Sequence, residues 1–432
     1  MKYLILTLIF ILSPRAWALK LELNAGVDAD IRSYDNLIYK NKQKDFSYHS
    51  DNTYINFVIK QIVLEKAENS KMDVFVGIKN VGVDKTSSTV NSAYLNENLS
   101  FYPQINSPFI NQAYAKVYNF YKEGINAYFG KQSYTLGQGI VLSDCGRGFD
   151  GLRFDFTDYL GINSAETFIF RDTNKQDNIY KIYGLNIQQN GFDGTWQAYF
   201  LNQKRSGAAE EINLSAENSN KNFAGIRYFT SKNQLAFDGE YVIQSGSSDE
   251  VLTGNKVKYK GYAFLLKGQW KQNMPLLGPT RTRLSYGKSS GDSGSNAKEN
   301  KAFYADLGYR YDGVNRSGFG QIFSASLYDV FRTSDTANGL PSGISGLNII
   351  NFGFDWPYKK MLFSVDYIGF RAAENISNPG TFKIGTEIDI KAEYKLGEKF
   401  SLFAVYAYFN PDSALGSLKT VKMTSLAIKA KF

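Results

Sequence analysis

Leu19-Lys20-Leu21-Glu22-Leu23-Asn24-Ala25-Gly26-Val27-Asp28-Ala29-Asp30-Ile31-Arg32 alternates between small or apolar and polar positions along its whole length. Successive side chains of an extended strand point to opposite faces, so this segment has one face fit for hydrocarbon and one fit for water. The wet face carries Lys20, Glu22, Asp28, Asp30 and Arg32, a charge density that a dry core would not accept. The pattern returns downstream, where Ile388, Ile390, Ala392, Tyr394 and Leu396 alternate with Glu387, Asp389, Lys391, Glu393 and Lys395. It returns again where Leu235, Phe237, Tyr241 and Ile243 stand opposite Asp238, Glu240 and Gln244. A sheet with one lipid-compatible and one charged face is predicted to close into an all-β, antiparallel transmembrane barrel with a wet lumen.

Segments of this kind, separated by turn signals, fall near 19–33, 53–66, 72–81, 111–121, 125–133, 151–157, 163–170, 179–188, 195–202, 222–229, 235–244, 257–271, 280–287, 347–355, 361–371, 385–395, 400–409 and 419–432. That makes about 18 strands, an even number, which puts both termini on the periplasmic side. The connections alternate in length. Short ones include Tyr121-Lys122-Glu123-Gly124, Thr230-Ser231-Lys232-Asn233, Trp356-Pro357-Tyr358-Lys359-Lys360 and Leu396-Gly397-Glu398-Lys399. Long ones, at 34–52, 82–110, 134–150, 203–221 and 288–346, are expected outside the cell.

The ends agree with export to a bacterial outer membrane. Lys2, the apolar run Tyr3 to Leu12, the breaker Ser13-Pro14 and Ala16-Trp17-Ala18 read as a secretory signal over residues 1–18, leaving 19–432 as one barrel. After Ala18 no apolar run approaches the about 20 residues that a membrane-crossing helix needs. Leu426, Ile428, Ala430 and Phe432 sit at alternate positions, like the C-terminal signal by which outer-membrane barrels engage the barrel-assembly machinery. Tyr and Phe number 30 and 32 against 1 His and 1 Cys, so aromatic residues are plentiful while Cys145 has no disulfide partner in the chain. The formal charge of +8 suits anionic headgroups or an anionic solute and selects neither.

Several stretches resemble the alginate-export family of outer-membrane barrels. Gly130-Lys131-Gln132 followed by Phe149-Asp150-Gly151-Leu152-Arg153 is similar to that family's Gly-Arg-Gln and Phe-Asp-Gly-Val-Arg strands, with Lys131 in place of Arg. Ser290-Gly291-Asp292 looks like its Ser-Gly-Asp element. Gly385-Thr386-Glu387-Ile388-Asp389 and Tyr408-Phe409-Asn410-Pro411 resemble its Gly-x-Glu-x-Asp strand and aromatic-Phe-x-Pro turn. The resemblance implies an 18-stranded barrel that passes a polysaccharide or other solute, with loops folded into the lumen.

Lumen-facing charges of both signs occur in equal measure in the well-phased strands, so cross-strand pairing is expected to absorb many of them. The candidates for pore lining or solute contact are Lys131, Arg153, Asp155, Arg227, Arg281, Arg283, Asp366, Glu387, Asp389 and Lys391, with Ser290, Gly291 and Asp292 as a loop motif. Arg281 and Arg283 share one face of the strand that leads into the loop at 288–346. A loop of that length is read either as a constriction folded inward or as an outer lid.

Catalysis finds little to build on. His49, in Ser47-Tyr48-His49-Ser50-Asp51, reads as a loop tip, and Cys145 has no histidine near it in sequence. Gly287-Lys288-Ser289 lacks the first glycine of a phosphate-binding loop, since Thr282 stands there. A calcium loop from Asp292 fails at Ala297 and Phe303. The expectation is a monomer in outer-membrane lipid and lipopolysaccharide, with no catalytic site, metal, cofactor or nucleic-acid partner. It would pass or export a hydrophilic solute such as an anionic polysaccharide or sugar acid. The alternative is a structural or adhesion barrel with a closed lumen, whose outer loops bind a partner.

Overall fold

The computed structural model describes residues 20–39, 42–63, 71–85, 107–159, 161–173, 179–206, 216–250, 256–309, 311–312, 315–316, 318–323 and 343–432. The signal at 1–18, most of the expected loop at 82–110, residues 207–215 of the expected loop at 203–221 and 324–342 of the longest loop lie outside these residues. The barrel strands are β1 (Lys20–Tyr39), β2 (Lys42–Val63), β3 (Lys71–Lys85), β4 (Phe109–Val117), β5 (Ile125–Gln132), β6 (Phe149–Tyr159), β7 (Ile162–Thr173), β8 (Ile179–Gly191) and β9 (Gly194–Ser206). They continue as β10 (Ala216–Lys232), β11 (Leu235–Glu250), β12 (Tyr262–Met274), β13 (Gly278–Ser289), β14 (Ile344–Tyr358), β15 (Met361–Asn375), β16 (Lys383–Lys395), β17 (Phe400–Pro411) and β18 (Val421–Lys431).

Each strand pairs antiparallel with the next, and β18 pairs with β1 from Gly26↔Lys431 to Asp35↔Lys422, which closes an 18-stranded barrel. Phe432 completes the seam: its N–H donates to the Ala25 carbonyl at 2.8 Å and its carbonyl accepts from the Ala25 N–H at 3.1 Å. Closure matters because hydrocarbon offers no partner to an unpaired N–H or C=O. The alternation sorts as the sequence requires. Leu21, Leu23, Ile31 and Leu426 are exposed on the outside, whereas Asp28, Asp30 and Arg32 of the same ladder are buried inside.

Turns on the side of the termini are short, as at 192–193, 233–234 and 359–360, and the long connections lie on the opposite side. The expected loop at 34–52 is a correction. β1 and β2 run 20 and 22 residues and pair up to Tyr39↔Lys42. About 9–11 residues suffice to cross a bilayer, so this hairpin projects beyond it, where polar residues on both faces no longer argue against a strand. His49 is accordingly an exposed strand residue opposite Ile31, not a loop tip. The single strand read at 257–271 is also divided, into Lys256–Tyr259 and β12.

The outward face carries a testable cost. Leu426 lies at the middle of β18 with 67% of its surface exposed. Leu426→Arg is expected to destabilise the barrel by about 2–4 kcal/mol in lipid vesicles. Urea unfolding in vesicles checks this, and an unchanged midpoint would remove Leu426 from the hydrocarbon.

Candidate functional site

The lumen is crossed by two loops. The first, 133–148, leaves β5 and folds on itself, with Thr135–Leu136 pairing antiparallel to Leu142–Ser143. Asp144 holds its base: the buried carboxylate accepts the Ser133 hydroxyl at 3.1 Å and the N–H groups of Tyr134 and Gly148 at 3.3 and 2.9 Å. Arg147, also buried, reaches Asp172 of the wall at 2.8 Å. The tip crosses to the far wall, where the Gln138 N–H donates to Glu240 of β11 at 2.5 Å and the Gln138 side-chain amide donates to the Leu265 carbonyl at 3.2 Å. The Tyr199 hydroxyl also donates to Glu240. Gly137 has φ +60°, and a methyl group there would overlap the Glu240 carboxylate, so the close approach requires glycine.

The second loop leaves β13. Ser290, Gly291 and Asp292 form its root: the Ser290 hydroxyl donates to the Lys301 carbonyl at 2.7 Å, and the Asp292 N–H donates to the Ser345 hydroxyl at 2.7 Å. Gly291 packs against the Ser345 carbonyl, leaving no room for a side chain. Farther on, Tyr304 exchanges hydrogen bonds with Gln244, and Asp306 is met by Lys221 and Gln203 at 2.9 Å each. Residues 318–323 dock on the opposite wall. There the Glu387 carboxylate of β16 accepts the N–H groups of Gln321, Ile322 and Phe323 at 2.7, 2.8 and 2.9 Å. Phe323 packs on Phe370 and Phe409 with ring centroids 4.8 and 5.3 Å away.

The loops touch each other. Leu142 bridges Leu307, the Ser143 N–H donates to the Leu307 carbonyl at 2.7 Å, and the Tyr309 N–H donates to the Gly139 carbonyl at 2.8 Å. Cys145 lies buried at this junction, while His49 is exposed on β2. Leu136, Ile140, Val141, Leu142, Phe303 and Leu307 form an apolar mass with inward wall residues Phe170, Leu201, Phe223, Ile349 and Phe370. The extracellular half of the lumen is therefore a packed core in the positions it fills.

The periplasmic half is polar. Arg227 grips Asp238 with two hydrogen bonds of 2.7 Å, and Arg153 meets Asp155 at 3.0 Å while its guanidinium lies 3.8 Å from the Tyr128 ring centroid. Arg281 and Arg283 both bind Asp355, at 2.5 and 2.9 Å. Arg283 and Lys391 share Asp366, at 2.9 and 3.1 Å, and Asp389 lies 3.8 Å from Lys391. Neutral groups continue the belt: Tyr134 and Asn186 donate to Glu166 at 2.8 Å, and Gln197 links Asn186 to Arg227.

Among the ten pore-lining candidates singled out from sequence, nine face the lumen, eight of them on this polar wall. Lys131 does not. It lies on the bilayer side of β5 and pairs with Asp150 at 3.7 Å, because the inward set of that strand is Asn126, Tyr128, Gly130 and Gln132. Glu387 is a loop anchor, and Asp366 and Asp389 are fully shielded from water. The sequence reading overlooked Asp355, Lys116 and Lys267. Lys116 alternates with Tyr114 on the wet face of β4, a signal that was available. Lys267 follows Leu265, whose burial under the first loop hides the alternation. Among the described residues neither lysine forms an ion pair. The Lys116 ammonium lies 4.2 Å from the Tyr118 ring centroid and 5.3 Å from that of Tyr128. Lys267 lines a cleft of about 720 Å³ at the periplasmic end with Asn190, Thr195, Phe229, Asp238 and Gln269.

No protein-family model matches the chain, and no curated protein matches it in sequence. Solved structures do match in fold. OccK11 (OpdR) of Pseudomonas aeruginosa aligns over 95% of this chain and 96% of its own, with a TM-score of 0.55 at 10% identity. OccAB1 of Acinetobacter baumannii aligns over the same shares with the same TM-score and identity. OpdK of Pseudomonas aeruginosa, solved with vanillate, covers 94% of this chain and 98% of its own, with a TM-score of 0.50 at 11% identity. The shared fold is that of 18-stranded outer-membrane porins, and it supports a porin-like barrel without extending to the alginate-export family in particular. With its apolar exterior, the barrel belongs in the bacterial outer membrane.

The docking of residues 321–323 can be tested. Hydrogen bonds to a charged group contribute about 1.5–3 kcal/mol each, so Glu387→Ala is expected to release the segment while the barrel stays closed. Chymotrypsin should then cut at Phe319 or Phe323 in folded protein, and equal resistance in both proteins would show that the carboxylate does not hold it.

Proposed function

We propose that the barrel is a passive channel for a small hydrophilic solute with a preference for anions. The observation that carries this reading is the polar periplasmic half of the lumen, with two lysines that form no ion pair among the described residues, beneath a constriction made by two docked loops. Many wall charges cancel in pairs, and several wall carboxylates, Glu166, Glu240 and Glu387, are held by neutral donors, which leaves Lys116 and Lys267 as the cations with no ion pair among the described residues. The cleft beside Lys267 has the size of a small-molecule site, about 300–1,000 Å³. Loops that cross the lumen favour a small solute over a polymer. OpdK with vanillate supplies a fold-level parallel, a small aromatic carboxylate with a barrel of this shape.

Reversal potentials in a planar bilayer under a salt gradient test the proposal. Wild-type barrels should favour chloride over potassium, and Lys116→Gln with Lys267→Gln should lower that ratio by about two- to fivefold, since each cation near the passing ion counts separately. Cation selectivity in the wild type would sink the anionic preference.

The rival reading is a closed barrel whose outer loops bind a partner. It is favoured by the complete burial of Leu136, Val141 and Phe303 between the loops. Gly137→Ala, which forces the first loop off Glu240, separates the two readings. A channel should show larger single-channel conductance, whereas silence in both proteins supports the closed barrel.

A further inference from the structure

The outer face of β13–β16, near its extracellular edge, carries three cations at one height. Lys288, Asn348, Arg371 and Lys383 are consecutive ladder partners across these strands. The next outward row toward the membrane centre is Tyr286, Ile350, Gly369 and Thr386, and the row after it is Leu284, Phe352, Tyr367 and Ile388. That last row is broadly exposed, as hydrocarbon contact requires. The cations therefore stand at the boundary where acyl chains give way to headgroups. Arg171, Lys181 and Lys204 occupy the corresponding edge on β7–β9 and mark the same boundary.

Arg371 and Lys383 are direct cross-strand neighbours, and like charges so placed destabilise a sheet unless an anion lies between them. Among the described residues none of Lys288, Arg371 and Lys383 forms an ion pair. Lys288 only faces the Tyr262 ring, at 5.7 Å. These residues border a cleft of about 730 Å³ whose floor is opened by Gly369, which has no side chain. The carboxylate in its lining, Asp412, is turned to its own chain and accepts the Ser413 N–H at 2.6 Å.

We propose that this cleft binds a phosphorylated saccharolipid of the outer leaflet. Its phosphate would sit among Lys288, Arg371 and Lys383, its polar ring against Asn348 and Thr386, and its acyl chains along Ile350 and Phe352. Arg and Lys around one anionic group are the chemistry of phosphate recognition, and the apolar rows directly below supply the acyl track. The inference rests on the outer-membrane location, and it is independent of what the lumen conducts.

Native mass spectrometry of the full chain in detergent tests it, with an acylated glucosamine disaccharide carrying two phosphates as the probe. The wild type should retain one lipid, and the combined Lys288→Gln, Arg371→Gln, Lys383→Gln variant should retain it at least about tenfold more weakly. All three side chains face outward, and the resistance of the folded barrel to denaturation in gel electrophoresis verifies that the variant is assembled. Lys399→Gln, at a periplasmic turn, should bind like the wild type. Retention by the triple variant equal to the wild type, or equal retention of the dephosphorylated lipid, overturns the site. Full competition by inorganic phosphate would make the ligand a free anion and would equally overturn the lipid assignment.

Discussion

The structure depends on a closed hydrogen-bonded ladder. In a bilayer each unpaired backbone N–H or C=O costs several kcal/mol, so a sheet that enters hydrocarbon must have no free edge there. The β1–β18 seam meets that demand, with Phe432 and Ala25 exchanging the last pair of bonds. Once the ladder is closed, the face of every side chain is fixed by parity. Val27, Ala29 and Ile31 turn to lipid because Asp28, Asp30 and Arg32 turn inward, and a slip of one residue would exchange the sets.

Two different interiors are built on that one wall. Where the loops enter, the inner face is aromatic and aliphatic, and Phe170, Phe223, Phe370 and Phe409 receive apolar residues as a soluble core would. Below the loops, inward residues are polar or charged, and many of the charges pair within a strand or with its neighbours. A loop pushed into a barrel brings backbone polar groups that lose water and must find partners. Glu240, Gln244 and Glu387 supply them from the wall, and Asp144 supplies them from within the loop. A lumen carboxylate can thus serve as an anchor as readily as a solute contact, and its sign alone does not tell which.

The exterior is asymmetric as well. Trp196, Trp270 and Trp356 gather near the periplasmic turns, and the Trp356 indole N–H donates to the Leu277 carbonyl at 2.9 Å. The opposite edge is cationic, from Arg171 and Lys181 round to Arg371 and Lys383. Amphipathic rings suit an interface where one end is dry and the other wet. Lysine and arginine suit a leaflet rich in phosphate. The orientation inferred from strand parity and the chemistry of the two edges agree without sharing an argument.

The sequence by itself determined the barrel. Period-two alternation from Leu19 to Arg32, repeated along the chain, located all eighteen strands, since lipid outside and water inside impose a rule on each residue separately. It misread 34–52 because beyond the bilayer that rule lapses. It also misjudged Lys131, whose inward placement came from a motif and not from the phase of its own strand. Only the tertiary structure decided that Asp355 serves Arg281 and Arg283 together, that Glu240 and Glu387 hold loops, and that among the described residues Lys116 and Lys267 form no ion pair. These are relations between residues brought together by closure, often from distant parts of the chain. Closure sets who faces whom across the lumen, and no local pattern carries that information.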